Sequence, residues 1–213
     1  NVKIYDDYKK MLSKENLDFV FITTPPDSHV EMAIECINKN IHFFIEKPLS
    51  INSSLCKPLL KIMEEKRTIN MVGYMMRYQK TFKLAKTMLK NNILGEIFSF
   101  GATMYVSQLF KKGKGWRYKK NKSGGGVVMA QTTHLIDLIC WYFGFPGYLT
   151  ANTISPYSIT TEDFAHCTFS WENGLMGWID SSWSVYNHRM LESSLKIHGE
   201  NGNLLVSDDT IKL

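Results

Sequence analysis

The feature that most limits what this chain can fold into is a change of hydrophobic pattern near residue 73. Ahead of it, short continuous apolar runs alternate with amphipathic stretches, the signature of βα units in which helices cover parallel strands. Phe19-Val-Phe-Ile-Thr-Thr24 is a β-rich run ended by Pro25-Pro26; Ile41 to Ile45 is a second run and Ile69 to Gly73 a third. Between them, Ser28 and Glu31 have the spacing of a capping box that opens a helix to about Asn38. A helix over Asn52 to Lys66 places Leu55, Leu59, Ile62 and Met63 on one face. Repeated β-α-β logic of this kind is right-handed.

Beyond Gly73 the pattern is of another sort. A polar helix runs from about Thr81 to Asn91, and from Glu96 to Val106 the residues Phe98, Phe100, Ala102, Met104 and Val106 alternate as in a long strand. Phe164 to Ser170, Leu175 to Ser182, Leu195 to His198 and Leu204 to Ser207 predict a largely antiparallel sheet. One helix, Val128 to Phe143, interrupts these strands and is stopped by Gly144 with Pro146 beyond it. The fold class is therefore α/β, with a partial parallel sheet over residues 1–73, followed by an α+β domain with an open, largely antiparallel sheet over 74–213.

Composition removes several function classes. The chain is 44% hydrophobic and 21% charged, as ordinary globular proteins are, and no stretch approaches the roughly 20 apolar residues of a membrane span. With no signal-peptide pattern after Asn1, a cytoplasmic protein without a membrane partner is expected. The four cysteines, Cys36, Cys56, Cys140 and Cys167, lack paired spacing and read as buried thiols. Net charge is +5, but the basic residues are spread along helices except between Lys111 and Lys122, so no nucleic-acid partner is expected. His166, His188 and His198 show no ligand spacing, and no metal is predicted.

Two residues carry candidate proton chemistry. Lys47 follows a strand at its carboxyl end, where doubly wound sheets place ligand chemistry, with Pro48 directing the chain after it. A lysine there can donate to a substrate oxygen; the same spacing also describes a solvent-exposed turn lysine. His134 has Ala130, Gln131 and Asp137 three or four residues away on a helix, so Asp137 is placed to orient the imidazole as a general base. A satisfied structural histidine is the alternative. Arg117, beside Trp116, has the fork for a phosphate or carboxylate, and Arg77 either lines a cleft or pairs with an acid. Gly124-Gly125-Gly126 lacks the surroundings of a P-loop and reads as close backbone approach before a helix.

Thr24-Pro25-Pro26-x-x-His29, Ile45-Glu46-Lys47-Pro48-Leu49, Gly73-x-x-x-Arg77, Leu94-Gly95-Glu96-Ile97, Trp116-Arg117, Gly124-Gly125-Gly126 and His134-Leu-Ile-Asp137 occur in this order. The ordered set resembles the glucose-fructose oxidoreductase / inositol dehydrogenase / MocA (Gfo/Idh/MocA) family from about Tyr5 to Leu213. The resemblance implies that residues 1–73 are the C-terminal part of a Rossmann NAD(P)-binding domain and 74–213 a substrate-binding and oligomerisation domain. It further implies a fragment, because no G-x-G-x-x-G turn is present and the family's last strands and final helix are not reached.

The activity implied is hydride transfer between NAD or NADP and a sugar, polyol or nucleotide-sugar carbinol carbon, by a homo-oligomer, dimer or tetramer. Lys47 and His134 become catalytic candidates. Thr24, Pro25, His29, Glu46, Lys47, Arg77, Trp116 and Arg117 become cofactor contacts, and Lys47, Arg117, Gln131 and His134 substrate contacts. One departure stands out: the family's dehydrogenases commonly have an aspartate one turn before the histidine, and this chain has Ala130. That departure motivates the alternative of a non-catalytic NAD(P)-binding sensor or regulator.

Overall fold

Parallel pairing organises the first part of the chain. The computed structural model describes residues 2–213. They fall into two units, one running up to Gly73 and including Asn121–Gly124, the other Tyr74–Lys120 with Gly125–Leu213. In the first, β1 (Phe19–Ile22), β2 (His42–Ile45) and β3 (Asn70–Val72) form a parallel sheet in that order. Helices α1 (Tyr8–Lys14), α2 (His29–Asn38) and α3 (Lys57–Glu65) belong to the same unit. Ile22, Phe43 and Ile45 form a core with Ala33, Cys36 and Ile37 of α2 and Leu59 of α3. The opposite face, where Phe21, Phe44 and Met71 stand in register, is open, with Phe21 69% exposed.

Two local expectations fail here for identifiable reasons. The capping box does not form: Ser28 Oγ donates instead to the Pro25 carbonyl at 2.9 Å, while Glu31 accepts from Lys9 at 2.8 Å and Tyr8 at 2.9 Å. The helix expected from Asn52 begins as a 3-10 turn, Ser53–Cys56, and Pro58 then opens α3. That turn takes Leu55 off the buried face, and it is exposed.

In the second unit, α4 (Lys80–Lys90) precedes β4 (Ile97–Tyr105), whose Phe100, Ala102 and Met104 point inward. The short turn α5 (Lys120–Ser123) carries Asn121 to Ser123 back to the first unit. Then come a π-helical turn at Val128–Thr132 and α6 (Thr133–Phe143). The strands β5 (Tyr148–Ile154), β6 (Phe164–Ser170), β7 (Met176–Ser182), β8 (Glu192–Gly199), β9 (Gly202–Ser207) and β10 (Ile211–Lys212) follow. The seven-stranded order is β10-β9-β8-β4-β7-β6-β5, with every neighbouring pair antiparallel except β4 and β7.

Leu135, Leu138 and Ile139 of α6 are fully buried in the same core as β4, each stabilising by roughly 1.5–3 kcal/mol. Gly144, at φ +80, ends the helix in a backbone region that favours glycine, and its N–H donates to the Cys140 carbonyl at 3.0 Å. β5 was not expected from the sequence, since all seven of its residues are exposed and an edge strand of this kind has no burial alternation to read. The thiols also divide: Cys36 and Cys167 are buried, whereas Cys56 and Cys140 are only partly so. Burial pushes the Cys36 thiol up to about 11. No helix among the described residues is long and apolar enough to cross a membrane.

Candidate functional site

In the first unit, the candidate residues gather at the carboxyl ends of β1 and β2. The Glu46 N–H donates to the Ile22 carbonyl at 2.9 Å, which keeps the two strands in register up to their ends. Thr24 and Pro25 follow β1, and Thr24 Oγ1 is 2.7 Å from Ser28 Oγ. Glu46 and Lys47 follow β2 and are both partly buried; the Lys47 N–H points to Glu46 Oε2 at 3.3 Å, and the Lys47–Pro48 peptide is cis.

His29 is placed differently from the expectation. It is completely buried, with Nδ1 2.9 Å from the Pro48 carbonyl and Nε2 2.7 Å from the Thr24 carbonyl. Both ring nitrogens are occupied by backbone and no surface remains for a ligand, so the expectation of a cofactor contact gives way to a latch. One imidazole ties the loop after β1 to the loop after β2. Lys122, from the basic segment, makes a 2.6 Å ion pair with Asp27.

The second unit presents His134 near the start of α6, 6% exposed. The Tyr74 ring meets it edge-on, centroids 6.1 Å apart, and Tyr74 Oη lies 3.1 Å from Thr133 Oγ1. Burial pushes the Tyr74 phenol above its usual range. Asp137, the residue expected to orient the imidazole, is engaged by Arg77. Both its oxygens accept from Arg77, Nε at 2.7 Å and Nη2 at 2.6 Å, a bidentate fork whose guanidinium also lies over the Trp141 ring at 5.6 Å. Of the alternatives for Arg77, pairing with an acid is the one found, with the side chain still 38% exposed.

Gln131 and Ala130 sit on the π-turn just ahead of His134, a distortion frequently found at functional sites. The Gln131 Oε1 atom is buried and, among the described residues, has no hydrogen-bond donor. Arg117 is exposed on a short turn, its guanidinium stacked 4.8 Å over the Trp116 ring. This arrangement offers an imidazole, an unpaired amide acceptor and, separately, a cation.

Two acidic residues that brace this region carry no readable signal of that role in the sequence, Glu162 and Asp163. Glu162 Oε1 accepts from the N–H groups of Gly126 at 2.8 Å and Val128 at 3.0 Å, ahead of α6. Asp163, 0% exposed, accepts from Tyr157 N at 2.6 Å, Ser158 N at 2.8 Å, Ser158 Oγ and Trp183 Nε1 at 2.9 Å. Burial pushes this carboxyl up, but the donors from Ser158, Trp183 and Tyr157 outweigh it and hold it below the usual carboxylate range. The only signal available was an acidic pair directly ahead of an apolar strand, which names no partner.

Comparison with known proteins agrees with this architecture. Residues 1–74 match the oxidoreductase family with NAD-binding Rossmann fold, and residues 82–205 match the GFO/IDH/MocA C-terminal domain. An uncharacterised oxidoreductase of Schizosaccharomyces pombe is 30% identical over 167 residues, 78% of this chain and 45% of that protein. Inositol 2-dehydrogenase of Salmonella typhimurium is 29% identical over 193 residues, 80% of this chain and 54% of that protein. A solved levoglucosan dehydrogenase in complex with NADH and L-sorbose superposes with a TM-score of 0.91 at 22% identity, covering 97% of this chain and 60% of that one. The chain thus spans about half the length of the curated relatives it matches.

Proposed function

The chain belongs to the GFO/IDH/MocA oxidoreductase family, and from that premise we propose that the natural protein transfers a hydride between NAD or NADP and the carbinol carbon of a sugar, polyol or nucleotide sugar. When bound, the nicotinamide supplies the hydride acceptor. The carboxyl ends of parallel strands fit the nicotinamide side of such a cofactor: Thr24 and Pro25 after β1, and Glu46 and Lys47 after β2, are the residues that would hold it. Trp116 and Arg117 belong to the proposal as outer contacts to cofactor or substrate.

The chemistry assigned to this chain is positioning and proton management. The Lys47 ammonium hydrogen-bonds to the reacting oxygen and polarises it. A ring nitrogen of His134 takes the hydroxyl proton as the carbon gives up its hydride, so the alcohol loses one proton and one hydride and becomes a carbonyl. Gln131 Oε1 accepts a hydrogen bond from a neighbouring substrate hydroxyl. The observation that carries this reading is a buried imidazole with an unpaired, buried amide acceptor three residues before it. Substitution by His134→Ala or Lys47→Ala in the natural protein is expected to lower kcat/KM on its sugar or polyol by about 10²- to 10⁴-fold while cofactor still binds. Undiminished turnover in either variant sinks the assignment of that residue.

The open face of the seven-stranded sheet, with Trp178, Met176 and Tyr148 exposed, supports a homo-oligomer joined through that face. Ala130 favours a second reading, a cofactor-binding sensor without turnover. An Ala130→Asp variant that binds cofactor but shows no turnover across a sugar panel supports the sensor reading, whereas measurable turnover with Ala130 in place removes it.

A further inference from the structure

We propose that Glu162 is the positioning residue for His134: it fixes the start of the helical segment on which Gln131 and His134 are carried. The proposal rests on the reading in which His134 exchanges the substrate proton.

The first N–H groups of any helix lack intrahelical acceptors and must find others. Here three consecutive ones converge on one residue. Gly126 N and Val128 N donate to Glu162 Oε1, at 2.8 and 3.0 Å, and Val127 N donates to the Glu162 carbonyl at 2.9 Å. A carboxylate at this end of a helix is also favoured by the helix dipole. The contact is closed from the other side too: a Cβ on Gly126 would lie 1.9 Å from the Glu162 carbonyl oxygen, so only glycine permits the approach.

Glu162 is itself immobilised through its neighbour. The Asp163 N–H donates to the Ile154 carbonyl at 2.9 Å, its carbonyl accepts from Ser182 Oγ at 2.9 Å, and its carboxylate is held by Tyr157, Ser158 and Trp183. The helix start is thereby referenced to β5 and β7 through a single dipeptide.

Between this clamp and His134 lies the π-turn Val128–Thr132, with Ala130 N bonded to the Gly126 carbonyl at 2.9 Å. A π-turn accommodates one more residue than an α-turn, and on a helix each residue is a rotation of about 100°. Releasing the first amides lets the turn relax toward α geometry, which rotates His134 relative to the residues before the turn. A misplacement of this size at a catalytic group lowers kcat rather than ligand affinity.

The test compares Glu162→Ala, Glu162→Gln and Glu162→Asp with His134→Ala, in the natural protein with NAD or NADP and its sugar substrate. Readouts are kcat, the KM for cofactor, and amide hydrogen exchange at Gly126, Val127 and Val128. Glu162→Ala is expected to lower kcat by about 10- to 100-fold, with cofactor KM within about twofold and faster exchange at Val128 and Gly126. Glu162→Gln keeps the Oε1 acceptor and restores kcat to within about threefold of the parent. If the alanine variant does not fold, Glu162→Asp, whose carboxylate is one methylene short of the amides, is read in its place with the same expectation. Faster amide exchange with parental kcat overturns the clamp while leaving His134 in its role; parental kcat in His134→Ala removes the reading beneath it.

Discussion

The two units hold their candidate residues in different ways. In the first, Thr24, Pro25, Glu46 and Lys47 lie on loops beyond a three-stranded parallel sheet, and one buried imidazole, His29, ties those loops together. In the second, Gln131 and His134 lie on a helical segment packed in the core of a seven-stranded sheet and fastened by charged groups: Glu162 at its start and the Arg77–Asp137 fork one turn past His134. Loop residues depend on a few local contacts, while helix residues inherit the rigidity of the core beneath them. Damage to the anchor in one unit should therefore be felt differently from damage in the other.

The largest effect is expected from Asp163→Ala. It leaves the buried donors of Ser158 and Trp183 without an acceptor, and unfolding should show a loss of about 3–5 kcal/mol carried by the second unit. The same carboxylate imposes a pH dependence. Because its folded pKa lies below the unfolded value of about 3.9, its contribution is fully present above that pH and is lost as pH falls through the folded pKa. Asp163→Asn should accordingly flatten the stability profile below about pH 4; an unchanged acid limb breaks the account of this carboxylate.

A smaller, local effect is expected from His29→Ala. Loss of both bridging contacts should cost about 1–3 kcal/mol and speed amide exchange at Glu46 and Lys47, while exchange along α6 stays at the parental rate. Equal acceleration in both units would mean that the two anchoring modes are not separate, and the comparison would fall.

The smallest effect is chemical rather than thermodynamic. With its thiol raised by burial to about 11, Cys36 holds little thiolate at pH 8, so alkylation of the native protein should reach the partly exposed Cys56 first. Mass spectrometry of timed samples reads the order, and early labelling of Cys36 would show that the first unit opens more readily than its core implies.

Hydrophobic period by itself determined the layout: three βα-type runs before residue 73, the inward alternation of β4, and the apolar helix that ends at Gly144. These are legible because burial repeats along the chain at the period of the element that is buried. The motif order was equally readable and points to the family. What period cannot report is a strand with no buried side, so β5 was invisible. Nor can it report which partner a polar side chain selects.

Only the tertiary structure decided that Asp137 pairs with Arg77, 60 residues away. Only there does His29 become a latch across 19 residues and Glu162 reach back 36 residues to the start of a helix. The physical reason is that a hydrogen bond is short and directional, so its partners are set by which backbone and side-chain groups the packed core brings within about 3 Å. Residue type states what a side chain can donate or accept; the fold decides to whom.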